Sequence, residues 1–463
     1  MNDFDLIVIG GGPGGYVAAI RAAQLGFKTA LVEKAELGGV CLNWGCIPTK
    51  ALLRGADIAN TLKHAAHFGF EIDTPKLDLA KLVGHSRSTA KRLSQGIDYL
   101  MSKNAVTVIR GKAKVTAPFT LCVSTDKGEQ SYRADHIILA TGAHARDLPN
   151  IKVDGKLIWG AREAMTPTAL PERLLVIGAG AIGVEFASLY NDLGSEVTLV
   201  EAANQIVPVE DSDVSAQLAK GFRERGIRIH TDTTVNTVEH HANSVTAELK
   251  TANGNEKITV DRVILAVGIS GNIQDLGLEE LHADIDRGFI KTDPFSKTNI
   301  VGLYAIGDVA GPPWLAHKAS HEAVICVERI AGMANTKPLR KDRVPGCTYC
   351  RPQIASVGMT EAKAKAAGRN IRVGRFNLNA NGKALAIDES VGFVKTIFDA
   401  ESGELLGAHM IGAEVTEQIQ GFCIAQQLEA TEHELANAIF AHPTLSESMH
   451  ESVLDSLGIA IHQ

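Results

Sequence analysis

Two cysteines with four residues between them, Cys41 and Cys46, stand in the run Gly38-Gly-Val-Cys-Leu-Asn-Trp-Gly-Cys-Ile-Pro-Thr-Lys50. On one continuous helix they would lie about 7.5 Å apart along the axis, beyond the ~4.4–6.8 Å that a disulfide allows between its Cα atoms. If the sulfurs bond, Cys41 must therefore lie on an irregular turn that tightens into a helix near Cys46, with Gly38, Gly39 and Gly45 supplying backbone freedom. Pro48 suits the first turn of that helix. Cys46 would then sit at a helix N-terminus, where the dipole favours a thiolate. Lys50, four residues on, shares its face. Two ordinary buried thiols are the alternative. Zinc fits less well, because it needs further ligands that are not clustered here. Near the other end, Phe440-Ala-His442-Pro-Thr444-Leu-Ser-Glu447 places a histidine five residues before a glutamate. Histidine held by a carboxylate is the usual base for a thiol near neutral pH, and a capping box from Thr444 to Glu447 is the competing structural role.

The context of the cysteines is dinucleotide chemistry. Phe4 to Ile9 is an apolar run of strand length, followed by Gly10-Gly-Gly12-Pro-Gly-Gly15, a helical pattern to Leu25-Gly26, and a second strand closed by Glu33. This is the dinucleotide fingerprint: the first glycine makes the tight turn, the second admits pyrophosphate and the third lets helix pack on strand, while the acid takes a ribose. It recurs as Gly178-Ala-Gly180-Ala-Ile-Gly183, with Glu201 closing the next strand, and in both units the acid follows the first glycine by 23 positions. Asp135 to Gly142 and Asp261 to Gly268 repeat one another more faintly. Two complete units predict two dinucleotide sites. Glu201 would repel a 2′-phosphate and no cation follows it, so the second site favours NAD over NADP. The cysteines follow directly on the first unit, and thiolates exchange electrons readily with flavin, so the first site is expected to take FAD.

At 463 residues the chain has room for about three domains. Its net charge of −7 carries no basic block, which argues against nucleic acid. No apolar run reaches the ~18 residues of a membrane span, and the N-terminus enters a strand at once without a signal or transit peptide, so a cytoplasmic location is expected, or a mature form whose leader is absent. Seven cysteines without framework spacing suit a reducing compartment. Residues 50–68 and 77–100 read as helices, and 106–137 as antiparallel strands. Residues 145–172 read as a proline-marked crossing, 298–308 as an apolar strand ending in Asp308, and 323–332 as a helix. The pattern breaks at Gly271 and Asn272. From about Val344 the texture becomes one sheet (354–357, 393–398, 405–411) with helices over 360–367 and 416–428. Cys347 and Cys350 lack the second pair that zinc would need, and 377–381 is a polar loop without assignment.

Taken in order, the cysteine run, both fingerprints, Tyr304-Ala-Ile-Gly-Asp308 and His442-Pro-Thr-Leu-Ser-Glu447 resemble the flavoprotein disulfide reductases nearly end to end. The resemblance implies an α/β fold with two Rossmann-like dinucleotide-binding domains, the NAD domain inserted in the FAD domain, and a C-terminal α+β dimerisation domain. The expected division is 1–146 for FAD, 147–271 for NAD, 272–343 completing the FAD domain and 344–463 for the interface. It implies that Cys41 and Cys46 form the redox disulfide, that Glu185 pairs with Lys50 beside the flavin, and that His442 and Glu447 act across a homodimer on the other protomer's cysteines. Asp308 would bind the FAD ribityl chain, and Gly142, Gly268 and Ala316 join the cofactor-binding residues. It also implies oxidation of dihydrolipoyl groups with NAD, docking onto a lipoyl-bearing acyltransferase or similar lipoyl carrier, and no metal. Relatives that use NADPH on glutathione carry arginines after the second fingerprint, which this chain lacks. Many relatives carry arginine and proline after the strand that ends at Gly268, where this chain has Ile269-Ser-Gly-Asn272. A flavoprotein serving mainly as a docking subunit is the reading from another class, and the full set of Cys41, Cys46, Lys50, His442 and Glu447 argues against it.

Overall fold

The computed structural model describes residues 3–73, 75–252 and 254–462. Its chain divides into two compact units, one comprising the chain up to Leu52 with Asp78–Arg146 and Gly268–Lys341, the other Leu53–Leu77, Asp147–Val267 and the chain from Asp342 onward.

The first unit is built on β1 (Phe4–Ile9), α1 (Pro13–Gln24) and β2 (Thr29–Glu33). After them come α2 (Gly39–Trp44), α3, which starts at Cys46 and runs to Lys63 with its residues from Leu53 counted in the second unit, and α4 (Leu79–Lys103). The sheet order is β3 (Thr107–Arg110), β2, β1, β6 (Gly128–Leu139), β5 (Thr120–Thr125), β4 (Lys112–Ala117), with Leu303–Ala305 also beside β6. Strands β3, β2, β1, β6 and Leu303–Ala305 pair in parallel, whereas β4 and β5 extend the long β6 antiparallel. The apolar run of β1 is therefore buried on both faces, as a parallel strand requires: Ile7 and Ile9 enter one core and Leu6 and Val8 the other. Expectation and structure differ at β3, which pairs with β2 in parallel. The expected strand over 298–308 shrinks to Leu303–Ala305, because Gly307–Ala310 turns as a 3₁₀ helix. The helix expected from 323 begins at Ala316. The break at Gly271 and Asn272 is instead a short strand, Ile269–Gly271, antiparallel to Ala143–Ala145.

The second unit contains the other parallel sheet, in the order Arg228–His230, Glu196–Val200, Arg173–Ile177, Arg262–Leu265, Ile158–Trp159. A separate antiparallel sheet runs Gly346–Thr348, Gln353–Gly358, Leu405–Gly412, Phe393–Asp399, Ile371–Asn377. Its two central strands are buried at every residue. Helix Glu447–Ser456 lies so close on this sheet that a Cβ on Gly374 would stand 1.8 Å from the Ser452 carbonyl. The helix expected over 416–428 is two, Val415–Gln418 and Gln420–Gln427. Residues 378–380 form a 3₁₀ turn, after which Asn381 caps Gly382–Ala386. Among the described residues no helix is long and apolar enough to cross a membrane.

Candidate active site

The redox turn is two helices with one residue between them. Cys41 lies inside α2 rather than on the irregular turn that its spacing suggested, and Cys46 is the first residue of α3. Gly45 alone takes the break, with φ −157° and ψ −112°. Both flanking segments can then be helical while the sulfurs still meet. The Cys41 thiol is pushed far above its ordinary range, first by its side-chain hydrogen bond with Cys46, then by burial and by the Cys46 charge; Lys50 opposes this and Asp308 adds to it. Cys46 stands at the first residue of α3, where the helix dipole favours a thiolate. Tyr16 also has a raised pKa, from burial first and the Cys41 charge second.

Residues of α4, which the sequence did not single out, hold this turn. Ser86 Oγ donates to the Pro48 carbonyl at 2.9 Å, and Ser94 Oγ donates to the Leu37 carbonyl at 2.8 Å. Arg87 donates to the Asn43 carbonyl and lies 3.8 Å over the Trp44 ring. Asn43 Nδ2 donates to the carbonyls of Leu37 and Gly39. Gly39, at φ +58°, brings the turn against the fingerprint loop, since its Cβ would lie 2.7 Å from Gly12 Cα.

The two fingerprint units share a geometry down to single hydrogen bonds. Glu33 Oε2 accepts from the Gly11 N–H at 2.6 Å and Oε1 from the Ala35 N–H at 2.8 Å. Glu201 does the same with the N–H groups of Ala179 at 2.7 Å and Ala203 at 2.9 Å. Third glycines are required by internal packing, because a Cβ on Gly15 would lie 1.8 Å from the Gly10 carbonyl and one on Gly183 would lie 1.9 Å from that of Gly178. Second glycines are not: a Cβ on Gly12 meets nothing closer than 3.9 Å and one on Gly180 nothing within 4 Å. Both have ordinary negative φ and cap their helices without a side-chain hydrogen bond. What those two glycines keep clear is the space before an uncapped helix N-terminus, which fits a pyrophosphate. The residues present therefore suit two dinucleotides. Gly142 and Gly268 likewise have open space about them.

Asp308 opens another part of the first unit. Burial raises its carboxyl pKa, Lys318 opposing and Glu322 adding. Its turn is fixed by a fully buried Lys318, whose Nζ donates to the carbonyls of Gly307 at 3.0 Å and Gly311 at 2.9 Å and meets Glu322 Oε2 at 2.9 Å. Glu322 Oε2 also accepts from the Gly307 N–H. A half-buried acid on a rigid turn is a suitable acceptor for hydroxyl groups. Ala316 begins the helix that carries Lys318. Nearby, Asn272 ties the strand ends together, donating to the Thr141 carbonyl and accepting from Thr141 Oγ1 on its own, each at 2.8 Å.

In the second unit, His442 Nδ1 lies 2.9 Å from Glu447 Oε1, and Glu447 Oε2 accepts from the Thr444 N–H at 2.9 Å. Glu447 thus both closes the turn and orients the ring. Its pKa is lowered: burial works against this, but the Thr444 N–H and the His442 ring outweigh it. His442 is 77% exposed in the single chain, which leaves Nε2 open. Glu185 is buried on helix Ala181–Leu193, where Oε1 accepts from the Tyr349 N–H at 2.9 Å. Cys347 and Cys350 donate to different carbonyls, Thr416 and Pro352. Among the described residues no group of three or more His, Cys, Asp or Glu could hold a metal ion.

The chain belongs to the pyridine nucleotide-disulphide oxidoreductase family, matching it over residues 4–323 and matching the family's dimerisation domain over residues 344–453. It is 54% identical to the dihydrolipoyl dehydrogenase of Rhizobium etli, over 99% of this chain and 98% of that one. It is also 54% identical to that of Zymomonas mobilis, over 100% and 99%. Among solved structures, LpdA from Mycobacterium tuberculosis superposes with a TM-score of 0.90 at 29% identity, covering 97% of this chain and 98% of that one. The protein is thus a flavin-dependent, NAD-linked disulfide oxidoreductase, with FAD and NAD as its cofactors.

Proposed function

We propose that the chain oxidises protein-bound dihydrolipoyl groups to the lipoyl disulfide and reduces NAD, as the flavoprotein of a 2-oxo acid dehydrogenase-type complex. The observation that carries this reading is the placement of Cys46 as the first residue of α3, in hydrogen-bond contact with Cys41 inside the preceding helix. The substrate follows from the names of the relatives at 54% identity. FAD belongs to the unit with Gly10, Gly12, Gly15, Glu33, Gly142, Asp308 and Ala316, beside the cysteines. NAD belongs to the second fingerprint, with Gly178, Gly180, Gly183 and Glu201, and Gly268 follows the Arg262–Leu265 strand of that sheet. The division is 1–146 and 272–343 for FAD, 147–271 for NAD and 344–463 for the interface.

His442, oriented by Glu447, removes a proton from one substrate thiol across the dimer. The thiolate attacks Cys41 Sγ, the Cys41–Cys46 bond breaks, and Cys46 leaves as a thiolate held by its helix end and by Lys50. The second substrate thiol attacks its partner sulfur in the mixed disulfide and passes its proton to the departing Cys41 Sγ. The lipoyl ring closes and Cys41 is released with a proton. Bound FAD supplies the two-electron chemistry that passes the pair from sulfur to NAD as hydride. Glu185 pairs with Lys50 and keeps its ammonium beside Cys46. The partner is a lipoyl-bearing acyltransferase or other lipoyl carrier, and the cysteine usage suits the cytoplasm.

The test is NADH formation from dihydrolipoamide by the purified yellow protein, run beside NADPH oxidation with glutathione disulfide. Turnover of dihydrolipoamide with NAD alone, lost in Cys46→Ser with FAD still bound, is the expected result. Activity only with NADPH and glutathione disulfide would overturn the role given to Glu201, and full activity of Cys46→Ser would overturn the thiol scheme.

A further inference from the structure

Beyond their acids the two dinucleotide units take different courses. In the first, the chain returns from Glu33 to the fingerprint, where the Gly38 N–H donates to the Gly11 carbonyl at 2.8 Å, and then delivers the redox cysteines. The second makes the same return, the Val207 N–H donating to the Ala179 carbonyl at 2.7 Å. From there it runs to Asp211, the N-cap of helix Ser212–Glu224. Asp211 is 2% exposed, and Lys395 from the central strand Phe393–Asp399 meets it.

Lys395 Nζ lies 2.9 Å from Asp211 Oδ1, 2.8 Å from Asp213 Oδ2 and 2.6 Å from Glu361 Oε2. An ammonium has three donors, so it is satisfied in full. Burial alone would lower its pKa, but the hydrogen bonds it donates to Asp213, Glu361 and Asp211 reverse that and raise it. Arg375 beside Asp213 and Lys365 on Glu361 balance the remaining acids. Asp211 Oδ2 also accepts from the Glu361 N–H at 3.1 Å. One lysine of the C-terminal sheet thus fixes the end of the 201–210 loop. The loop is also tied by Val207 to Ala179, by the Asp232 N–H to the Ala203 carbonyl at 2.9 Å, and by Ser215 Oγ to the Ile206 carbonyl at 2.8 Å. Ala179 is also the residue whose N–H is held by Glu201.

We infer that Lys395, through Asp211, is a positioning residue for the nicotinamide dinucleotide site: it holds the 201–210 loop against the second fingerprint so that Glu201 and the Ala179 backbone keep one geometry for the adenosine ribose. The inference rests on the assignment of NAD to the second unit. The cysteines and the first fingerprint belong to the other compact unit of the chain, so the effect is expected to separate from the thiol chemistry.

The experiment uses the dimeric, FAD-loaded enzyme with Lys395→Met, which keeps the apolar stem. KM for NAD at saturating dihydrolipoamide is compared with the rate at which dihydrolipoamide alone bleaches the flavin absorbance in stopped flow. KM for NAD is expected to rise about tenfold, in the range of couplings carried through packed networks, with the bleaching rate unchanged within about twofold. An unchanged KM, or equal losses in both measurements, overturns the inference. If Lys395→Met does not fold, Glu361→Gln removes one of the three acceptors. It is then expected to raise KM for NAD severalfold with the bleaching rate kept, and the absence of that split overturns the inference equally. Failure of the underlying assignment would show differently, as a wild-type enzyme that does not saturate with NAD.

Discussion

In the proposed scheme one cysteine sulfur leaves as a thiolate and the other ends as a thiol, and the chain gives the two different surroundings within a few residues of sequence. Cys46 is exposed and begins a helix, while Cys41 sits inside the preceding one with its pKa pushed up. His442 gains its orientation from a carboxylate five residues on. With His442 as the proposed base for the substrate thiol alone, His442→Gln is expected to slow dihydrolipoamide oxidation by about 10²–10⁴-fold while leaving electron transfer from NADH to an artificial acceptor nearly unchanged. Steady-state rates for both reactions check this, and equal losses would count against the base. These four residues were legible because their partners are local. Ser86 and Arg87 were not, since they reach Pro48 and Asn43 from 38 and 44 positions away. Lys318 and Glu322 did carry a signal, an oppositely charged pair at helical spacing. Full burial, which turns that pair into a clamp on Gly307 and Gly311, is a tertiary fact.

At the scale of elements, the duplicated strand-turn-helix-strand unit was the most readable feature, because each of its glycines answers a separate steric demand. The structure divides those demands. Gly183 is fixed by packing against Gly178, whereas Gly180 faces open space. Gly183→Ala should therefore destabilise the protein by about 1–3 kcal/mol or more through overpacking. Gly180→Ala should leave the melting temperature within about 2 °C, since its φ of −71° suits alanine, and should raise KM for NAD by filling the phosphate approach. Thermal melts beside NAD kinetics on both variants separate the two, and a Gly180→Ala enzyme with normal NAD kinetics would remove pyrophosphate from that helix end. Element boundaries were less legible where tertiary partners decide them. Residues 298–308 read as one apolar strand, yet pairing with β6 covers only Leu303 to Ala305 and the Lys318–Glu322 clamp turns the chain at Gly307. Ile269–Gly271 looks like a break until Ala143–Ala145 is found beside it.

At the scale of the molecule, the cysteines and the base belong to different compact units of the chain, and His442 lies exposed in the single chain. The chain carries the family's dimerisation domain. If each site takes its cysteines from one protomer and its base from the other, two inactive variants should complement. Cys46→Ser and His442→Gln homodimers each have two defective sites. A mixed dimer has one site with both defects and one with neither, the latter joining the intact cysteines of one chain to the intact histidine of the other. Random exchange of equal amounts makes half of the dimers mixed, so about a quarter of wild-type dihydrolipoamide activity should return, as expected for a twofold-symmetric pair of shared sites. The measurement is activity after mild dissociation and reassociation, with each variant reassociated alone as the control. A site built within one chain predicts no recovery at any mixing ratio, because every chain would still carry its own defect. Sequence spacing held the members of this site but not their distribution between protomers, since a histidine five residues from a glutamate looks the same whichever chain's thiol it serves.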